Sequence, residues 1–232
     1  MALLRSALYA LVFYPATLIF IIFCMIASLF GREPMRKVVH AWTDFHHHFV
    51  RLVGTRVAVT GTIPTGAFLI AVKHQSMFET LEMMRIARTP VVVMKRELTT
   101  MPLFGWATRT YGVIPVDRDA GAKALREMLS LGKEAAASGR PILIYPEGTR
   151  TRPGEAPPLQ AGFAGLYKVL GLPVVPVAMD SGRIWGRNMP ADSGAIHFLI
   201  GDPIPPGLKR DEIEARVHAA INALELGTKP SA

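Results

Sequence analysis

A chain of 232 residues has room for one domain of ordinary size with an appendage. Half of its residues are apolar, which is high for a freely soluble protein and predicts membrane contact. The net charge of +8 favours anionic lipid and phosphate, and no basic and aromatic interleaving accompanies it, so nucleic acid is set aside as a partner. A single cysteine, Cys24, excludes a disulfide framework within the chain.

The first element is an uncharged run over residues 7–30. As a helix it would be about 36 Å long, enough to cross the hydrocarbon of a bilayer. A cleaved signal peptide is the competing reading, weakened by a run longer than the roughly 7 to 15 apolar residues such a peptide uses. Pro15 predicts a bend, and a hairpin of two short helices dipping into one leaflet is the alternative to a span. Arg5 precedes the run, whereas Arg32, Arg36, Lys37 and Arg51 follow it, which predicts that the bulk of the protein faces the cytoplasm from the inner membrane.

Val38, Val39, Trp42, Phe45, Phe49 and Leu52 then recur at near-helical spacing, the pattern of an amphipathic helix at the interface. His46, His47 and His48 lie inside it. Neighbours on a helix diverge by about 100° and cannot all grip one ion, so a polar helix face is expected in place of a metal site. Residues 1–55 are read as membrane-anchoring helices, 56–227 as the main domain and 228–232 as a flexible tail.

From residue 56 onward, short apolar runs alternate with helical patterns, which predicts an α/β domain with a mostly parallel central sheet flanked by helices. The strands fall at 57–59, 68–72, 91–94, 113–116, 142–145, 174–179 and 196–200. Helices are predicted at 77–88, 101–110, 122–137, 160–170 and 211–226. Several runs lack polar alternation, as strands covered on both faces do.

Three polar clusters directly follow three of these runs. After the strand at 68–72 comes Lys73-His74-Gln75-Ser76-Met77-Phe78-Glu79. Within one helix His74 and Glu79 would stand about 140° apart, so His74 belongs in the turn, where Glu79 can fix its tautomer and leave the other nitrogen to take a proton. The competing reading is a capping box in which Ser76 and Glu79 only satisfy backbone donors. These residues alone leave the two readings balanced.

After the strand at 142–145 comes Tyr145-Pro146-Glu147-Gly148-Thr149-Arg150. Gly148 lets the backbone approach a ligand, Thr149 offers a hydroxyl, and Arg150 can hold phosphate through two parallel hydrogen bonds. Glu147 could orient Arg150 or Arg118, or accept from a substrate hydroxyl. The bland reading is a solvated charged loop. The third cluster, Asp117-Arg118-Asp119 after the strand at 113–116, adds a basic residue or is a surface ion pair. Ligands of open α/β sheets bind beyond the carboxyl ends of strands, so the clusters can converge on one crevice.

Together these blocks resemble the lysophosphatidate acyltransferase family of glycerolipid acyltransferases, over most of residues 68–180. The likeness rests on His74 to Glu79, on Lys95 to Leu98 with Phe104, Gly105 and Trp106, on Gly112 to Arg118, on Tyr145 to Arg150 and on Leu172 to Val177. It implies that His74 is the base, that Glu79 fills the position of the usual aspartate, and that Arg118, Glu147, Gly148, Thr149 and Arg150 bind the acceptor, with Lys95 adding charge. Glutamate at 79, and Gln160-Ala161 where many relatives carry basic residues, depart from the family pattern.

The implied reaction moves a fatty acyl group from acyl-CoA or acyl carrier protein, used as co-substrate with no resident cofactor and no metal, to a lysophospholipid in the membrane, foremost lysophosphatidate. Backbone N–H groups near Ser76 and Met77 are the expected oxyanion donors, and Ser76 is a weaker candidate as a nucleophile. Other acceptors (glycerol 3-phosphate, a lyso-aminolipid), a catalytically silent lipid-binding protein and a metal hydrolase built on His46 to His48 are the other readings weighed.

Overall fold

The computed structural model describes residues 2–117 and 121–225. Arg118 and the expected tail at 228–232 lie outside the described residues. Two helices open the chain, α1 (Ala2–Ser28) and α2 (Arg32–Leu52). They are followed by β1 (Thr55–Thr60), β2 (Leu69–Val72), α3 (Phe78–Ile86), β3 (Val91–Lys95), α4 (Phe104–Tyr111) and β4 (Ile114–Val116). The rest comprises α5 (Gly121–Ala137), β5 (Ile142–Ile144), α6 (Ala161–Leu170), β6 (Val174–Met179), β7 (Gly194–Ile200) and α7 (Arg210–Ile221).

The strands form one seven-stranded sheet in the order β1-β7-β6-β2-β5-β3-β4. The run from β6 to β4 is parallel throughout, while β7 pairs antiparallel with β6 and parallel with β1. The sheet is thus mostly parallel, as expected, with a reversed pair at one edge.

Period-two alternation sends β2 residues to two separate cores. Leu69 and Ala71 pack with Ile142, Ile144 and Val174 against Met128 of α5, Phe163 and Leu166 of α6 and Ile213 and Val217 of α7. Ile70 and Val72 face the other way, with Leu143, Val175 and Val177, onto Phe78 and Met83 of α3 and onto Tyr9, Phe13, Phe49 and Val50 of the first two helices. Burial on both faces explains why these strands read as unbroken apolar runs.

The N-terminal pair belongs to that second core. α1 runs unbroken through Pro15, in place of a hairpin of two short helices. Near its start Ser6 donates to the Pro190 carbonyl at 2.8 Å, and Tyr9 meets Trp185 edge-on at 4.9 Å between centroids. Near its end Cys24 packs with Met35 and Tyr111. Between those anchors Leu11, Tyr14, Leu18, Ile19, Ile22 and Phe23 are exposed. An exposed apolar helix of 27 residues marks a membrane-associated protein.

The three histidines of α2 point three ways, as their 100° spacing requires, but they do not make a polar face. His46 is 0% exposed, inside the aromatic layer of Tyr9, Phe13, Phe78 and Trp185. His47 Nδ1 lies 3.1 Å from Glu82 of α3, and His48 turns back to the Asp44 carbonyl at 2.7 Å.

Candidate active site

β2 ends at Val72, and the chain must turn before α3 can begin. Lys73 to Met77 make that turn, and a single carboxylate organises it. Glu79, in the first turn of α3 and 0% exposed, accepts through Oε1 from His74 Nδ1, Gln75 N and Ser76 N, each at 2.7 Å. Its Oε2 accepts from the hydroxyls of Ser76 at 2.8 Å and Ser181 at 2.7 Å. Capping and histidine orientation, opposed on sequence, are both performed by this one side chain.

A carboxylate can only accept, so His74 Nδ1 carries the proton and Nε2 presents its lone pair. Among the described residues Nε2 has no hydrogen-bond partner. The imidazole stacks on Tyr145 at 4.2 Å between centroids, with 12% of its side chain exposed. Burial alone would raise the Glu79 pKa, but the hydrogen bond and charge of His74, then Ser76 N–H and the Ser181 hydroxyl, hold the carboxyl below its ordinary range.

Glu147 takes a different place from the one expected. It is 1% exposed, and among the described residues its carboxylate has no hydrogen bond to Arg150. Oε1 accepts from Lys73 Nζ at 2.6 Å and Oε2 from the backbone N–H of His74 at 3.1 Å. Lys73 is itself fully buried and also donates to the Glu155 carbonyl at 2.6 Å and Asn222 Oδ1 at 2.7 Å. Every ammonium donor is satisfied, the condition for keeping such a charge inside a protein. Thr151 completes the brace, donating to the His74 carbonyl from N at 2.8 Å and Oγ1 at 3.0 Å.

In the same loop Gly148 adopts φ +72°, and a Cβ there would meet Gln160 Cγ at 2.7 Å, so glycine is required on two counts. Thr149 is exposed at the rim. Arg150 donates through NH1 to the Arg187 carbonyl at 3.1 Å and Asn188 Oδ1 at 2.8 Å, and it feels the Glu79 charge. Lys95 ends β3, two strands from β2, paired with Glu97 at 2.7 Å. With strands spaced about 4.8 Å apart, that end of β3 is roughly 10 Å from the His74 turn.

The expected oxyanion donors are already used. Ser76 N–H bonds Glu79, and Met77 N–H bonds the Arg187 carbonyl at 3.0 Å. Ser76 is fully buried, its hydroxyl shared among Glu79, Ser181 and Phe78 N–H, which removes it as a nucleophile.

A half-buried, oriented histidine thus stands at the carboxyl edge of a mostly parallel sheet, with arginine one loop away. The profile of the Acyltransferase family matches residues 56–180, more than half of the chain. The chain belongs to the acyltransferase family. This acyltransferase is 36% identical over 174 residues to the 1-acyl-sn-glycerol-3-phosphate acyltransferase of Pseudomonas aeruginosa, covering 73% of the chain and 68% of that protein. It is 29% identical over 175 residues to the alpha enzyme of the same name from Ovis aries, where 72% of the chain spans 61% of the relative. Among solved structures, the 1-acyl-sn-glycerophosphate acyltransferase of Thermotoga maritima superposes with a TM-score of 0.81 over 100% of both chains, at 21% identity, a likeness of fold.

Three residues of the candidate site are not legible as such in the sequence. Lys73 stands in the sequence only as a neighbour of His74, because a lysine is rarely buried and nothing local signals its partners. Ser181 and Arg187 come from the connection between β6 and β7, a stretch with no periodic pattern. The sole available hint was position, since that connection starts at the end of the strand next to β2.

Proposed function

We propose that the enzyme transfers a fatty acyl group from an acyl thioester, acyl-CoA or acyl carrier protein, to the sn-2 hydroxyl of lysophosphatidate, giving phosphatidate. The observation that carries this reading is the His74 Nδ1 to Glu79 contact of 2.7 Å, which leaves Nε2 unpartnered among the described residues at a rim furnished with arginine. The names of the relatives above support the choice of acceptor.

In this mechanism Nε2 takes the proton of the acceptor hydroxyl as its oxygen attacks the thioester carbonyl. The tetrahedral adduct then collapses, the C–S bond breaks, and the imidazolium returns the proton to the departing thiolate. Glu79 stabilises the imidazolium, and no acyl-enzyme is formed. Arg150 binds the acceptor phosphate and thereby holds the hydroxyl in place. Glu147 acts through others, since with Lys73 it fixes the backbone from which His74 projects. Arg118, Lys95 and Thr149 complete the proposed acceptor set.

Both ends of α1 rest on the same domain, although a helix of that length measures about 40 Å. A span would put those ends on opposite sides of the bilayer. We therefore place α1 within one leaflet, its exposed apolar side in lipid and the carboxyl rim of the sheet at the cytoplasmic surface. The test is purified protein in anionic vesicles with radiolabelled acyl-CoA or acyl carrier protein and lysophosphatidate. Phosphatidate should form with the wild type and not with His74→Ala, and a fully active variant overturns the reading.

A further inference from the structure

Beside the His74 turn lies an open cavity of about 290 Å³ whose walls include Gln75, Arg150, Thr151, Arg152, Trp185 and Arg187. From that turn Gln75 reaches its wall. Gln75 follows His74 in sequence, and Thr151 holds the His74 carbonyl. The lining joins two loops that are distant in the chain, one after β5 and one between β6 and β7.

Charge is what distinguishes this cavity. Three arginines against one glutamate, Glu155, leave two positive charges in excess on its walls. Glu155 is directed elsewhere, Oε2 accepting the backbone N–H of Arg152 at 2.9 Å. Arg150 is oriented by the Arg187 carbonyl and Asn188 and uses only NH1 for both contacts, so most of its donors stay available. Burial draws the Arg150 pKa down, the Glu79 charge opposes it, and the like charge of Arg187, on the wall of the same cavity, repels and lowers it further. A bound anion converts that repulsion into two attractions. The anion matching the excess is a terminal phosphate monoester, close to doubly charged at neutral pH because its second ionisation lies near pH 6. A phosphodiester carries a single charge.

We propose that Arg187 is a second headgroup arginine, paired with Arg150 across this cavity, and that the pair selects an acceptor bearing a terminal phosphate monoester over lysolipids with phosphodiester headgroups. The inference deepens the function proposed above and rests on it. Arg187 touches no reacting atom and acts by positioning the acceptor. It is not visible as a site residue in sequence because it lies outside the polar clusters that follow the strands, in a loop whose place beside His74 depends on the strand order.

The test compares wild type, Arg187→Ala and Arg187→Lys in vesicles with two acceptors, lysophosphatidate and lysophosphatidylglycerol, and with acyl-CoA varied separately. Arg187→Ala should raise KM for lysophosphatidate about tenfold, the loss of roughly one charge-assisted contact, and leave KM for acyl-CoA in place. The preference for lysophosphatidate over lysophosphatidylglycerol in kcat/KM should shrink by a similar factor, with Arg187→Lys intermediate because it keeps the charge and loses the fork. The Met77 cap survives both changes, since it uses the Arg187 carbonyl, and matched thermal midpoints verify this. Should the alanine variant unfold, the lysine variant carries the same comparison. Unchanged KM and selectivity overturn the inference, as does a rise confined to KM for acyl-CoA, which would assign the cavity to the donor's phosphates. A wild type that forms no phosphatidate sinks the underlying reading instead, so the two failures are distinct.

Discussion

Two imidazoles, His74 half-buried and His46 fully buried, have surroundings that could hardly differ more. At the carboxyl rim His74 has a carboxylate at 2.7 Å, a tyrosine stacked on its ring and one nitrogen facing outward. In the aromatic layer beneath α1 and α2, His46 has neither ring nitrogen hydrogen-bonded. Burial first, with His47 adding and Glu82 opposing, pushes the His46 pKa down to about 3. The rim is built from charges that satisfy one another, whereas the layer is built by excluding water. A histidine becomes a base only in the first setting, because proton transfer needs an oriented tautomer and a place for the resulting charge.

The largest effect should follow from emptying the rim of its base. His74→Gln preserves size and polarity yet is expected to lower kcat by about 10² to 10⁴, the usual worth of general base catalysis, with the thermal midpoint little altered. Activity near wild type would erase the distinction between the two histidines.

Next in size comes the brace behind the base. Lys73→Met leaves Glu147 buried without its cation, and breaking such a pair costs about 3 to 5 kcal/mol, readable as a fall in the denaturant midpoint. The double variant Lys73→Met/Glu147→Gln should recover part of that loss. A single variant as stable as wild type would mean that the rim does not depend on matched charge.

His46→Phe probes the other setting. The unfolded chain takes up a proton at His46 below about pH 6.5 while the folded one stays neutral to about pH 3, so stability falls with acidification by roughly 1.4 kcal/mol per unit. At pH 5 the phenylalanine variant should therefore be about 2 kcal/mol more stable relative to wild type than at neutral pH. Parallel acid unfolding curves would show that His46 is charged and not dry.

The smallest effect is confined to stronger acid. Glu79 is held below its ordinary range, so its contribution is complete above the ordinary carboxylate pKa and disappears as pH drops through the depressed folded value. Glu79→Gln should flatten that limb of the stability profile. A limb of unchanged steepness would assign it to other carboxylates.

Much of this was legible in the chain. Every strand and every helix predicted from residue 56 onward has a counterpart, because burial on both faces of the sheet writes unbroken apolar runs and burial on one side writes helical periodicity. The reversed direction of β1 and β7 was not legible, since periodicity carries no direction. At the site, the spacing of His74 and Glu79 excluded a shared helix and so located the turn. Glu147 was misplaced because its partner, Lys73, is a charge that periodicity sends to the surface. His46 was misread for a related reason, since a histidine between two others looks polar until the fold surrounds it with Tyr9, Phe13 and Trp185.

α1 touches the domain near both of its ends, and this has a consequence for membrane growth. Under the proposed placement of α1 in one leaflet, the protein handles only one monolayer. Under the proposed activity, each new phosphatidate is deposited where its precursor lay, and sidedness is inherited from the catalyst. Even expansion of the bilayer then requires separate transbilayer movement of lipid, at a rate this enzyme does not set.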